Sequence, residues 1–165
     1  EVTVQGIKGH MDCKIDGEVV DIKSASNFAF RKFLFGTLPE KDSFGYLAQL
    51  AGYEEAEQTT GGGFLAINKE SGELNLFKPL SLDKPNIITK IKTIKQQLKK
   101  DVPPARCYSP VPDGASGNMK LPSECTWCAH KDSNDGEGLR VFKYSKGFTY
   151  LTKVKRLPKV EEVAA

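Results

Sequence analysis

The sequence predicts a single α/β domain spanning residues 1–165, with helices flanking a mixed central sheet. Three observations point there. Strand patterns meet at turn residues Asp16-Gly17, Glu70-Ser71-Gly72 and Ser145-Lys146-Gly147. Three stretches between the first hairpin and residue 100 carry apolar residues at helical spacing. A chain of 165 residues is also long enough to bury a real core.

Taken in order, residues 3–15 and 18–24 alternate and read as two strands joined at Asp16-Gly17. Residues 26–35 look helical, with Phe28, Phe33 and Leu34 as apolar positions. Residues 43–57 read as a second helix whose Phe44, Leu47, Leu50 and Ala51 share a face. Three glycines, Gly61 to Gly63, then break the chain, and residues 64–67 and 73–79 form a further hairpin. Pro85 suits a first helical turn, and residues 86–100 carry Ile87, Ile88, Ile91, Ile94 and Leu98 at helical spacing. Residues 101–138 are loop-like, and a loop that long calls for a function or a staple. Residues 139–156 look like a last hairpin before a polar tail.

Hydrophobic content of 39% and charged content of 27% are ordinary for a soluble domain. The net charge of +3 is small, so any nucleic-acid surface must come from local clustering. Candidates are Lys90, Lys92, Lys95, Lys99 and Lys100 on the third helix, Arg31 with Lys32, and Lys153, Lys155 and Arg156. A helix with lysines around its polar faces is more often plain solvated surface. Trp127, Phe148 and Tyr150 would serve for base stacking or for packing. No apolar run approaches the ~20 residues of a membrane span. An intracellular chain is expected, with further residues upstream of Glu1.

The first hairpin carries the chemistry. With Asp16-Gly17 as its turn, Asp12 faces Asp21 and His10 faces Lys23. Strand alternation puts these four side chains on one face and Met11, Cys13, Ile15, Val20 and Ile22 on the other, which suits a core. Facing carboxylates repel unless a cation lies between them, and hard oxygen ligands suit Mg²⁺ or Mn²⁺. Lys23 would then orient a water or stabilise charge developing on a phosphate. The plainer reading is a solvated hairpin face.

Cys13, Cys107, Cys125 and Cys128 are the four cysteines, and in an intracellular chain Cys125-x-x-Cys128 reads as a metal or cluster knuckle. His130 or Cys13 would be the fourth ligand beside Cys107, Cys125 and Cys128, although Cys13 reads as a buried core thiol. Ordinary thiols are the alternative.

Gly9-His10-Met11-Asp12, Asp21-Ile22-Lys23-Ser24-Ala25-Ser26 and Gln49-x-x-x-Tyr53 together resemble the nuclease domain of the RecB-type PD-(D/E)XK superfamily. Its AddB, CRISPR-adaptation and phage exonucleases are relatives, and the phage group looks most similar through residues 44–53. The resemblance implies a restriction-endonuclease-like fold and an upstream helix. It also implies Asp12, Asp21 and the Ile22 carbonyl as metal ligands, Lys23 as the catalytic lysine, and Gln49 and Tyr53 at the DNA. A metal-binding histidine is common in the group, so His10 is either a ligand or a residue behind the ligands, with a structural role as the alternative. A [4Fe–4S] cluster on cysteines near this end of the domain is implied as well, with zinc as the alternative. A further cysteine is expected where residues 129–133 stand.

The function expected is Mg²⁺- or Mn²⁺-dependent DNA hydrolysis by an exonuclease acting on single strands or duplex ends. The setting would be phage DNA processing, in the host cytoplasm, with phage recombination or replication proteins as partners. A non-catalytic DNA-binding module and a resolvase or restriction-like endonuclease are the alternatives.

Overall fold

A computed structural model describes residues 1–102, 107–131 and 138–163 of the chain. The chain forms two compact units, Glu1–Gln96 and Gln97–Ala165.

The first unit opens with a small hairpin, β1 (Val2–Val4) and β2 (Ile7–Gly9). Gln5 and Gly6 form its turn with positive φ. Next come β3 (Cys13–Ile15) and the eight-residue β4 (Glu18–Ala25). Between them Asp16 (φ 52°) and Gly17 (φ 83°) make the turn that Asp-Gly favours. Cys13 pairs with Val20, and Ile15 with Glu18, in the predicted register.

Helix α1 (Asn27–Leu34) starts at Ser26, whose hydroxyl accepts from the Ala29 N–H. Helix α2 (Tyr46–Glu57) starts after Gly45, and both oxygens of Asp42 accept from the backbone at Tyr46 and Leu47. Strands β5 (Gly63–Asn68) and β6 (Leu74–Phe77) complete a four-stranded sheet in the order β3-β4-β5-β6. Strands β4 and β5 run parallel and the other neighbours antiparallel, so the sheet is mixed. α3 (Ile87–Gln97) follows.

The core lies between the sheet and the helices: Val19, Ala25, Phe30, Phe33, Leu47, Leu50, Phe64 and Ala66 are all buried there. The rings of Phe33 and Phe64 meet edge-on with centroids 5.7 Å apart.

Three expectations are corrected. Residues 3–15 are not one strand, because Gln5-Gly6 turns the chain and residues 10–12 belong to no strand. The expected core face of the first hairpin holds only in part: Val20 is buried and Met11 packs against the core, but Ile15 and Ile22 are 51% and 41% exposed. The helices cover the Val19–Ala25 side instead, and alternation puts Asp21 and Lys23 on that side as well. Phe44 does not face the core on the second helix; it precedes α2 and is 80% exposed.

In the second unit, β7 (Val111–Pro112), β8 (Met119–Lys120) and the short α4 (Ser123–Thr126) fall within the stretch read as loop. β9 (Arg140–Tyr144) and β10 (Gly147–Lys153) form the expected hairpin, and β11 (Glu162–Val163) pairs with β9 in the supposed tail. The sheet order is β11-β9-β10-β8-β7. Buried Asn118 ties it together: its carbonyl oxygen accepts from Lys155 N and Arg156 N, and its amide donates to the Arg156 carbonyl. Among the described residues no helix is long and apolar enough to cross a membrane.

Candidate active site

Strand β4 has neighbours on both edges, so its backbone is held and its alternation fixed. Asp21 and Lys23 project from one face of this strand, and Ile22 from the other.

Asp21 is 2% exposed. Its Oδ2 lies 2.6 Å from Lys23 Nζ in an ion pair. Burial pushes the Asp21 carboxyl above its ordinary pKa, the Lys23 ammonium pulls it down, and the neighbouring Asp12 adds to the rise. Asp12 lies just before β3, and its Oδ2 accepts the Ile22 N–H at 2.7 Å. A side chain thereby extends the pairing that ends at Cys13 and Val20.

From Lys23 a chain of hydrogen bonds runs across α2. Lys23 Nζ donates to Gln49 Oε1 (2.9 Å), and Gln49 Nε2 donates to the Tyr53 hydroxyl (3.0 Å). That hydroxyl donates to the His10 carbonyl (2.7 Å). Tyr53 has one proton to give and gives it to His10, so it receives from the amide nitrogen, and the amide oxygen is left facing Lys23. Gln49 and Tyr53 can share the task because residues four apart lie on one helix face. Gly9 leaves room for the arrangement, since a Cβ there would come within 3.0 Å of Tyr53 Cε1. Lys23 Nζ also lies 4.7 Å from the centre of the Tyr46 ring.

The acids, Lys23, Gln49 and Tyr53 are thus brought together, while the His10 ring is not. Its side chain is 78% exposed, with Nε2 3.5 Å from a Glu1 carboxylate oxygen. Only the His10 carbonyl joins the chain of bonds, because residues 10–12 lie outside any strand and do not keep its alternation.

Glu54 was not foreseen from the sequence. It is 5% exposed, and its Oε1 accepts from Gly62 N (2.7 Å) and Lys84 Nζ (2.8 Å). This pair pins the start of β5, whose Phe64 lies opposite Asp21. The glycines are needed there: a Cβ on Gly62 would come 2.8 Å from the Val19 carbonyl, and one on Gly63 2.9 Å from that of Phe77. The triple glycine was the available signal.

Two neighbouring carboxylates are hard oxygen donors of the kind a divalent cation takes, although Asp21 Oδ2 here faces the Lys23 ammonium. Among the described residues no three His, Cys, Asp or Glu side chains gather as a metal-holding group, so the acids stand as a pair. The cysteines fit a cluster less well. Cys125 is buried with Leu121 and Leu139, whereas Cys107 and Cys128 are exposed, and no disulfide joins any of the four. The Cys125-x-x-Cys128 turn does form, with Cys128 N on the Cys125 carbonyl (3.1 Å) and His130 N on Cys128 Sγ (3.4 Å). Of the segment expected to hold a further cysteine, Asp132 and Ser133 lie outside the described residues. Cys13 donates to the Val20 carbonyl at 3.5 Å and is partly buried.

No family model, curated protein or solved structure matches the chain.

Proposed function

We propose that the chain is a metal-dependent DNA nuclease of the PD-(D/E)XK class, with a restriction-endonuclease-like fold, and that it works as an exonuclease. One observation carries the reading: buried Asp21, beside Asp12, starts a continuous chain through Lys23, Gln49 and Tyr53. A solvated hairpin face would not bury a carboxylate or brace its lysine from a helix. The parallel β4–β5 pair with α1 and α2 between its strands supports the fold assignment.

Asp12 and Asp21 would hold Mg²⁺ or Mn²⁺, with the Ile22 carbonyl as a further ligand by resemblance. Such a cation supplies Lewis-acid charge and makes a nearby water more acidic. Lys23, held between Asp21 and Gln49, presents its remaining N–H groups to the phosphate as negative charge develops during in-line attack by water. Gln49, fixed by Tyr53, holds that ammonium in place.

The test is degradation of end-labelled linear DNA with and without Mg²⁺, against closed circular DNA. Degradation of the linear DNA alone supports the exonuclease. Cutting of the circle favours an endonuclease, and binding without cleavage of either favours a DNA-binding module.

In the second unit the Cys125–Cys128 turn alone supports a structural metal on the cysteines, a [4Fe–4S] cluster or zinc, since no third Cys or His gathers beside it among the described residues. About one zinc, or about four iron with as much sulfide, per chain after anaerobic purification is the expected result. Finding neither, with Cys128→Ser as stable as wild type, would make them ordinary thiols. The proposed setting is intracellular phage DNA processing, alongside recombination or replication proteins.

A further inference from the structure

Beside Lys23, on the α1 side, lies a recess of about 150 Å³. Its apolar lining includes buried Phe33, and its polar lining includes Lys23, Lys32 and Lys41. The one carboxylate there, Asp42, has both oxygens turned to backbone N–H groups of α2. Lys32 Nζ donates to the Lys41 carbonyl at 3.0 Å, which holds its ammonium near the recess. Lys23 is already paired with Asp21, so Lys32 and Lys41 are the cations that make the recess a receptor for an anion, against the single carboxylate of Asp42.

Phe44 also lines the recess, and its ring is 80% exposed. Leaving a phenylalanine in water forgoes about 1.5–3 kcal/mol of burial. This ring is not loose. It stacks on Tyr46 with centroids 5.6 Å apart and planes 18° apart, and Tyr46 in turn lies under the Lys23 ammonium. A braced aromatic face stands open next to the lysine assigned to the scissile phosphate.

We propose that this recess receives one unpaired nucleotide of a DNA strand, its base stacked on Phe44 and its phosphate held by Lys32 and Lys41. The identity of the polymer rests on the nuclease reading above. Flat aromatic faces and lysines together select a group that is both planar and anionic. A base inside a duplex is already stacked on both sides, so only one freed from pairing can use Phe44. The site therefore sets a preference for single strands or frayed ends.

The test is fluorescence anisotropy of the full chain in EDTA, using labelled phosphorothioate single strands and the matching blunt duplex. Phe44→Ala should weaken single-strand binding about fivefold to a hundredfold, the range expected for one base stack. Duplex binding should change less than twofold, and Phe44→Trp should restore the loss. Lys41→Ala should flatten the salt dependence of single-strand binding by about 0.7 in the log–log slope, the share of one phosphate. Unchanged single-strand affinity in Phe44→Ala, equal losses for single strand and duplex, or no binding of DNA by the wild type would overturn the proposal. Because the assay contains no divalent cation and uses resistant DNA, it separates the two readings. Specific single-strand binding without Mg²⁺-dependent degradation sinks the nuclease and leaves the recess standing. Degradation with an inert Phe44→Ala does the reverse.

Discussion

Replacing Tyr53 with Phe removes one oxygen atom and leaves the ring where it is, buried and against Gly9. The lost hydroxyl donates to the His10 carbonyl at 2.7 Å and accepts from Gln49 Nε2 at 3.0 Å. Gln49 is exposed and can turn its amide to water, so most of the loss comes from the bond to His10. One neutral hydrogen bond contributes about 0.5–1.5 kcal/mol, and at ~1 kcal/mol a unit of this size should melt roughly 4–8 °C lower. The effect on catalysis is separate. Lys23 still has Gln49 as an acceptor, but Gln49 no longer has a fixed orientation, and a loss of about 1.4 kcal/mol in positioning is tenfold in rate. Initial rates on end-labelled DNA, measured well below the melting temperature, should show kcat about tenfold down. The Mg²⁺ concentration for half-maximal rate should be unchanged, because Tyr53 touches neither acid. A variant that melts lower but cuts at the wild-type rate would refute the relay. So would one whose only kinetic defect is a raised Mg²⁺ requirement.

Asp12→Asn and Asp21→Asn should each abolish degradation, and more than a tenth of wild-type activity in either would sink the metal assignment. In melts without divalent cation Asp21→Asn should be at least as stable as wild type, whereas only wild type should gain on adding Mg²⁺, by about 2.7 kcal/mol at a hundredfold excess over Kd. Glu54→Ala strands the Lys84 ammonium at 7% side-chain exposure, and urea unfolding should show a loss of ~3–5 kcal/mol, a value under ~1 kcal/mol refuting the buried pair. At the edge of the second unit, the Arg140 guanidinium donates to both oxygens of Glu162 and holds its carboxyl below the usual glutamate range. The pairing is therefore complete above that range and is lost as pH falls through the lowered value. NMR titration of the β11 amides should show that loosening, and Glu162→Gln should remove the pH dependence.

The turn at Asp16-Gly17 was readable because few residues other than Gly, Asn and Asp accept positive φ, and the turn fixed the β3–β4 register. Alternation told which residues share a face, but not which face would be covered. The covering is decided by Phe30, Phe33, Leu47 and Leu50 on helices far along the chain. The Gln5-Gly6 turn is hidden in the sequence because the residues on either side continue a plausible alternation. Two-residue strands such as β7, β8 and β11 carry no period to read. The acids and Lys23 followed from the register, and Gln49 with Tyr53 from helical spacing added to the resemblance. The pairing of Glu54 with Lys84 had no pattern to announce it, since a buried ion pair across a fold needs no fixed spacing.

The helix α2 explains why the candidate site and the core cannot be varied independently. Leu47, Leu50 and Ala51 bury one side of it, while Tyr46, Gln49 and Tyr53 serve the side near Lys23. Its start is set by Asp42, and from its last turns Glu54 reaches the glycines that lead into β5. Lys23 stands on β4, which pairs directly with β5. The same helix therefore fixes the strand carrying the acid and lysine and the amide that braces the lysine. A shift of α2 against the sheet moves Gln49 away from Lys23 without touching either residue. Side chains of α2 that contact no substrate should thus affect turnover through the Lys23–Gln49 distance. In the proposed nuclease, Asp21, buried beside its neighbouring acid, is the group that this positioning would serve.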